Sequence, residues 1–287
     1  MVAELTNHTV SCDSDMLLGE AKYLPWSFSR MDVAGSCLYK FYNIYHEGIK
    51  ESSPALTLGS LTHEVIADLL RDGAPSVEKA QIFLVKAYKA YAELDSNGAA
   101  WLEAANMVPY MVTFTNNWKN MLKSKGIIKD RIEIPYALNA DKKRASFVPN
   151  CNNQPYLRGI VDLWAWDKET KTLYIVDHKT NKSTQSSNKV KEHRQLNLYI
   201  GMLANIYNLD WKRAVVGLNF LRKGKTVWAT IYPHEHVEFM DKFFNTLKYL
   251  EFKLYECESN MIWPAAKSFK CSWCSFKDTC QTYNAEV

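Results

Sequence analysis

Between Ile127 and Lys179 the hydrophobic and polar positions of the chain follow a strand-like period, whereas on either side they recur with helical spacing. The run RIEIPYAL alternates, YLRGIVDLWAW is rich in β-branched and aromatic residues, and TLYIVDHK follows the turn-like DKETK, so three strands are expected here. Upstream, residues 20–75 read as helices with short turns, including Leu61 to Leu70 after Gly59-Ser60. The stretch 76–126 reads as wholly helical. Ser76 is placed to cap its first helix, Ile82, Val85 and Tyr88 recur at helical spacing, and Gly126 can end its last one. Downstream, a helix over 190–208 precedes two strands, AVVGLNFL and TVWATIY, joined across Arg222-Lys223-Gly224-Lys225. A long helix from Glu235 to Cys257, a break at Pro264 and a cysteine-rich tail complete the chain. The order predicts an α/β core, with a mixed sheet flanked by helices and a helical elaboration.

Composition narrows the class. With 287 residues, 47% hydrophobic and 23% charged, the chain can bury a large core without disulfides and is not wholesale disordered. Its length fits a single domain, residues 1–287. No apolar run approaches the roughly eighteen residues that a membrane-spanning helix needs. The opening MVAELTNHTV has neither a basic start nor an apolar stretch, so the expectation is no secretory signal and a cytoplasmic protein. A net charge of +4 is compatible with a polyanionic partner without demanding one.

Candidate chemistry concentrates in GIVDLWAWDKETKTLYIVDHKT. On a strand, residues two apart share a face, so Asp177 and Lys179 project together. Asp162, on the preceding strand, is brought beside Asp177 by a hairpin of this length. Such Asp-x-Lys pairs are commonly just solvated, but each carboxylate here follows an apolar run, where a buried strand leaves the core. Two carboxylates can hold a hard divalent cation through oxygen. The cation acidifies water and offsets charge on a phosphate, and a lysine can orient the water or stabilise developing negative charge. Gln195 and Tyr199 lie four apart on one face of the 190–208 helix, although that helix also carries leucines suited to core packing. His63 stands near the start of a helix after Gly59, as a packing residue or a third ligand.

The seven cysteines are odd in number for a disulfide framework. Cys271, Cys274 and Cys280 form C-x₂-C-x₅-C within ten positions, and Cys37 is the best-placed fourth ligand. By spacing alone zinc and iron–sulfur both remain open, with zinc the simpler choice. Cys12, Cys151 and Cys257 read as non-ligands.

Taken in order, these segments resemble the PD-(D/E)XK nuclease superfamily. More narrowly they resemble its RecB-like iron–sulfur exonucleases, related to the CRISPR-associated Cas family four nucleases and the AddB nuclease domain. The resemblance runs from about Ser27 to Cys280. SFSRMDVAGSC resembles the opening serine-rich helix that ends in the first cluster cysteine, Cys37. LGSLTH resembles the glycine-then-histidine motif and gives His63 a metal-ligand role. GIVD supplies Asp162, with Val161 where the superfamily's name has proline, and VDHK supplies Asp177 as ligand and Lys179 as catalytic lysine. QLNLY resembles the Q-x₃-Y motif of Gln195 and Tyr199, and CSWCSFKDTC the tail that completes a [4Fe–4S] cluster with Cys37.

The resemblance implies a restriction-endonuclease-like core over 127–232, a helical insertion at 76–126, and a terminal region, 258–287 with Cys37, stapled by the cluster. It implies Mg²⁺ or Mn²⁺ held by His63, Asp162, Asp177 and the backbone carbonyl of His178, and cleavage of DNA at ends or in single strands. The rival expectation is a DNA-end-binding subunit of a recombination, repair or CRISPR-adaptation complex with little activity of its own. A second rival is a zinc-stabilised RNA-binding protein. Basic residues at 142–144, 182–194 and 222–225 flank the expected site, and Tyr39, Phe41, Tyr42 and Tyr45 are candidates for base stacking.

Overall fold

The structure is a computed structural model, and it describes residues 25–284 apart from residues 52 and 150–152. The amino-terminal decapeptide, Cys12 and Cys151 lie outside the described residues. The described chain begins with α1 (Phe28–Ser36), α2 (Leu38–Phe41) and a π-helical turn, then α3 (Pro54–Asp72), α4 (Val77–Tyr88) and α5 (Ala99–Ser124). Strands β1 (Asp130–Leu138), β2 (Leu157–Asp167) and β3 (Thr172–Lys179) follow, then α6 (Ser187–Lys191) and α7 (Arg194–Tyr207). After them come β4 (Arg213–Phe220), β5 (Lys225–Ile231), the long α8 (Pro233–Asn260) and a short α9 (Gln281–Asn284). The five strands form one mixed sheet in the order β1-β2-β3-β4-β5. The fold class is therefore α/β, a mixed sheet with flanking helices. Among the described residues, no helix is long and apolar enough to cross a membrane.

The chain divides into two compact units, one of Gly48–Ile134 and Ile160–Phe244, the other of Met1–Glu47, Pro135–Gly159 and Asn245–Val287. In the first, β3 pairs antiparallel with β2 and parallel with β4, and β4 pairs antiparallel with β5. The parallel step needs a crossover, which α6 and α7 supply. Leu163 is registered opposite Val176, so the next residues outward, Asp162 and Asp177, come side by side at the strand ends.

Helices α3, α4 and α5 pack on one another and on the sheet. Leu61, Leu69, Leu84 and Met111 join Leu163, Tyr174 and Val176 in a continuous buried cluster. Each fully buried aliphatic chain in it contributes roughly 1.5–3 kcal/mol. The ends are marked as the sequence suggests. Ser53 and Ser76 accept from the N–H groups of Leu56 and Lys79 at 3.3 and 3.2 Å, and Gly73 closes α3 at φ 87°.

One expected helix is two. The chain leaves helical geometry at His193 (ψ 115°) between α6 and α7. The Asn197 carboxamide makes the break stable by donating to the carbonyls of Lys191 and His193 at 2.8 and 3.1 Å.

The second unit gathers the start, middle and end of the chain. Glu251 on α8 accepts from Trp26 Nε1 at 3.0 Å and from the Tyr156 hydroxyl at 2.9 Å. Phe41 is fully buried, Tyr45 packs against it at 5.0 Å with Arg30 over its other neighbourhood at 4.5 Å, and Tyr42 meets Trp263 at 5.1 Å. Of these rings, candidates for base stacking by sequence, Phe41 is spent on internal packing, while Tyr39, Tyr42 and Tyr45 are half-buried.

Candidate active site

Strands β2 and β3 deliver the two aspartates out of an apolar interior, and both are buried. The Asp162 carboxylate accepts from the His178 N–H at 2.8 Å, which fixes its Oδ2 at the strand edge. Helix α3 brings His63 to the same place. Its Nδ1 lies 3.2 Å from Glu133 Oε1 and 3.5 Å from Asp162 Oδ2, and its Nε2 lies 3.3 Å from the His178 carbonyl oxygen. One donor atom each from His63, Glu133 and Asp162 fall within 4.8 Å of one another, close enough to share an ion.

Electrostatics favour a cation here. Burial, then the neighbouring Asp177 charge, pushes the Asp162 carboxyl up to about 8. Burial would lower the His63 imidazole, but Asp162, Glu133 and Asp177 outweigh it and raise it to about 10. The site thus gathers more negative charge than its neighbours neutralise. Asp177, 1% exposed, adds a further carboxylate at the adjoining strand end. A buried carboxylate beside the His63, Glu133 and Asp162 donors fits a divalent ion.

On the other side of Asp177 runs a polar chain. Lys179 Nζ lies 2.7 Å from Asp177 Oδ2 and donates to Gln195 Oε1 at 2.9 Å, while Gln195 Nε2 donates to the Tyr199 hydroxyl at 2.8 Å. Burial opposes the Lys179 charge, yet Asp177 prevails and the ammonium sits above its ordinary value. Burial, reinforced by Asp177 and Asp162, drives the Tyr199 phenol well up, so it stays protonated. His178 turns its ring away from this chain. Its Nδ1 accepts from Asn219 Nδ2 at 3.0 Å, its ring meets Phe114 edge-on at 5.0 Å, and burial drives its basicity well down.

The structure brings together His63, Asp162, Asp177, the His178 backbone, Lys179, Gln195 and Tyr199, as the sequence expects. It adds Glu133, which sequence reasoning misses. Glu133 lies on β1 at φ 51°, a left-handed conformation rare for a residue with a side chain. In RIEIPYAL it sits between Ile132 and Ile134, where plain alternation assigns it to solvent. Nothing local marks it out.

Among the flanking basic residues, several are already engaged. Arg222 pairs with Glu103 and donates to the Thr180 carbonyl at 2.6 Å, and Lys191 pairs with Glu235 at 2.5 Å. Lys182 and Lys189 are exposed.

In the second unit, Cys37, Cys271, Cys274 and Cys280 line one small cavity. Cys37 is the extended residue between α1 and α2, and short 3-10 turns carry the tail cysteines. Tyr39 ties the two segments independently, its N–H to the Pro264 carbonyl at 3.1 Å and its hydroxyl to the Thr279 carbonyl at 3.1 Å. Cys257 is buried within α8, apart from this cavity's lining.

A mixed sheet whose adjoining strand ends present two aspartates and a lysine, faced by a helix-borne histidine, defines an α/β protein built around an acidic, cation-ready centre. The model of the PD-(D/E)XK nuclease superfamily matches residues 25–281, and the chain belongs to that superfamily. Nuclease activity and the use of divalent metal are properties of the family. A comparison with curated proteins returned no match. Among solved structures, the chain is similar to the crystal structure of SSO0001 at 13% identity and a TM-score of 0.30, covering 85% of this chain and 93% of that one. That likeness is too low to carry a structural argument.

Proposed function

We propose that this protein is a Mg²⁺- or Mn²⁺-dependent DNA exonuclease acting on ends or single strands, with a structural [4Fe–4S] cluster. The observation that carries the reading is the convergence of Asp162, Asp177 and Lys179 at the ends of β2 and β3, with Lys179 Nζ 2.7 Å from Asp177 Oδ2. His63, Asp162, Asp177 and the His178 carbonyl would hold the divalent ion, with Glu133 beside them. Bound there, the ion supplies charge neutralisation for the scissile phosphate and acidifies a water.

The remaining work belongs to the chain. The His178 N–H keeps Asp162 aimed at the site, and Glu133 and Asp162 orient the His63 ring. Lys179, held charged by Asp177 and positioned by Gln195, stabilises the negative charge that develops on phosphate oxygen. Tyr199 fixes the Gln195 rotamer by accepting from its amide. The thiols of Cys37, Cys271, Cys274 and Cys280 would hold the cluster, which joins the two ends of the second unit and takes no part in hydrolysis.

A digest of 5′- and 3′-labelled single- and double-stranded DNA with Mn²⁺, comparing wild type with Lys179→Ala, tests the reading. Stepwise loss of end nucleotides by wild type alone is expected. DNA binding without any cleavage by wild type would favour an end-binding subunit of a recombination, repair or CRISPR-adaptation assembly.

A further inference from the structure

A cavity of about 430 Å³ in the first unit lies between α5 and the β3-β4-β5 part of the sheet, and the hydrolytic reading leaves it unused. That volume is in the range that holds small organic ligands. Its walls are planar: Tyr110, Phe114 and Trp118 from α5, Tyr174 from β3 and Trp228 from β5. Two glycines shape it. A Cβ at Gly217 would stand 2.8 Å from the Trp228 ring, and one at Gly224 would collide with the Tyr110 ring. Both rings therefore lie flat on bare backbone, and both remain partly open to solvent, Tyr110 at 44% and Trp228 at 39%.

Between the rings stand groups that both donate and accept. The Asn117 carboxamide lines the space with the Thr113 and Thr226 hydroxyls, which donate to the Pro109 carbonyl and to Asn219 Oδ1 and can still accept, and no lining residue is charged. The occupant that matches flat aromatic walls with neutral hydrogen-bonding edges is a flat, uncharged heteroaromatic ring with donors and acceptors on its rim. Positive charge is available beside it, since Lys125 Nζ lies 5.6 Å from the centroid of the Tyr174 ring.

We propose that this cavity binds a nucleobase, stacked against Trp228 and Tyr110 and read at its edge by the Asn117 carboxamide. The choice of ligand rests on the nuclease reading; the cavity itself does not. The site communicates with the hydrolytic centre through one residue. Phe114 and Asn219 both line the cavity and both touch the His178 ring, while the His178 backbone holds Asp162 and meets His63. The base comes either from a substrate strand or from a free nucleotide.

The test is photocrosslinking of the full chain in EDTA, where hydrolysis is suspended. One arm uses a single-stranded oligonucleotide bearing one 5-iododeoxyuridine, the other free 5-iododeoxyuridine monophosphate. Peptide mapping should place saturable crosslinks on Tyr110, Trp118 or Trp228. Labelling by the oligonucleotide assigns the pocket to a substrate base, and labelling by the monophosphate alone assigns it to a free nucleotide. Trp228→Ala should weaken half-maximal labelling by about tenfold, the loss of one base–aromatic stack. Asn117→Leu, on an exposed helical position with no folding burden, should weaken it severalfold. Crosslinks confined to peptides outside the cavity, or labelling unchanged in both variants, overturns the proposal. A parallel Mn²⁺ digest separates the two readings: cleavage without cavity labelling sinks this inference alone, and cavity labelling without cleavage sinks the nuclease reading alone.

Discussion

Asp177 and Lys179 form an ion pair along one face of β3, with the lysine Nζ 2.7 Å from Oδ2 of the buried carboxylate. The lysine engages one carboxylate oxygen, and a carboxylate has a second oxygen with which Asp177 can engage another cation.

From this follows a separation of activity and stability. Asp177→Asn removes the negative charge that Asp162 must tolerate in a dry site, so cleavage should fall at least about a hundredfold while thermal stability holds or rises. Lys179→Ala should lose activity to a similar degree and also lose stability, because it leaves a buried carboxylate without its cation. Paired melting curves and cleavage rates check both. An Asp177→Asn enzyme that cleaves like wild type would remove Asp177 from the ligand set.

Glu133 holds an unfavourable backbone conformation at φ 51°, and its side chain reaches His63 Nδ1. Such strain costs on the order of 1–3 kcal/mol and persists where a function retains it. Glu133→Gly should keep or raise the melting temperature while weakening Mn²⁺ binding by roughly tenfold or more. Calorimetric titration of Mn²⁺ into wild type and variant measures the second effect. Undiminished affinity would make Glu133 a bystander.

Cleavage should vanish in EDTA and return with added Mn²⁺ or Mg²⁺, since oxygen-rich sites exchange these ions readily. Full activity in excess chelator would exclude the proposed ligand role of the acidic cluster.

The four thiols that share one cavity should bind a single cluster. After anaerobic purification, iron and sulfide analysis should give about four irons per chain, lost in Cys274→Ala and kept in Cys257→Ala. One zinc per chain with no sulfide would replace the cluster by a zinc staple.

The sequence made the β2–β3 hairpin legible because strand geometry is stiff. A two-residue period with a tight turn leaves little choice about which side chains meet, so Asp162, Asp177 and Lys179 could be placed together before any coordinates. Helical spacing likewise predicted the Gln195–Tyr199 pair, and the structure adds their hydrogen bond. Glu133 escaped because its meaning comes from a long-range partner, His63, seventy positions away. The break before α7 escaped for a related reason: the Asn197 carboxamide substitutes for helical N–H donors, and an asparagine in a helical pattern carries no mark of that duty. In the aromatic cluster after Cys37, residue type alone does not say which ring turns inward, and burial singles out Phe41.

The second unit is assembled from Met1–Glu47, Pro135–Gly159 and Asn245–Val287. During synthesis its first stretch can pair with the middle one, through the Trp26 N–H and the Tyr156 carbonyl, before the last has left the ribosome, and every member of the acidic and lysine cluster, from His63 to Tyr199, precedes residue 245. A ribosome stalled before the tail would release a chain that possesses the complete chemical centre and lacks three of the four thiols. Synthesis thus supplies Cys271, Cys274 and Cys280 only after every member of the His63–Tyr199 group has been made.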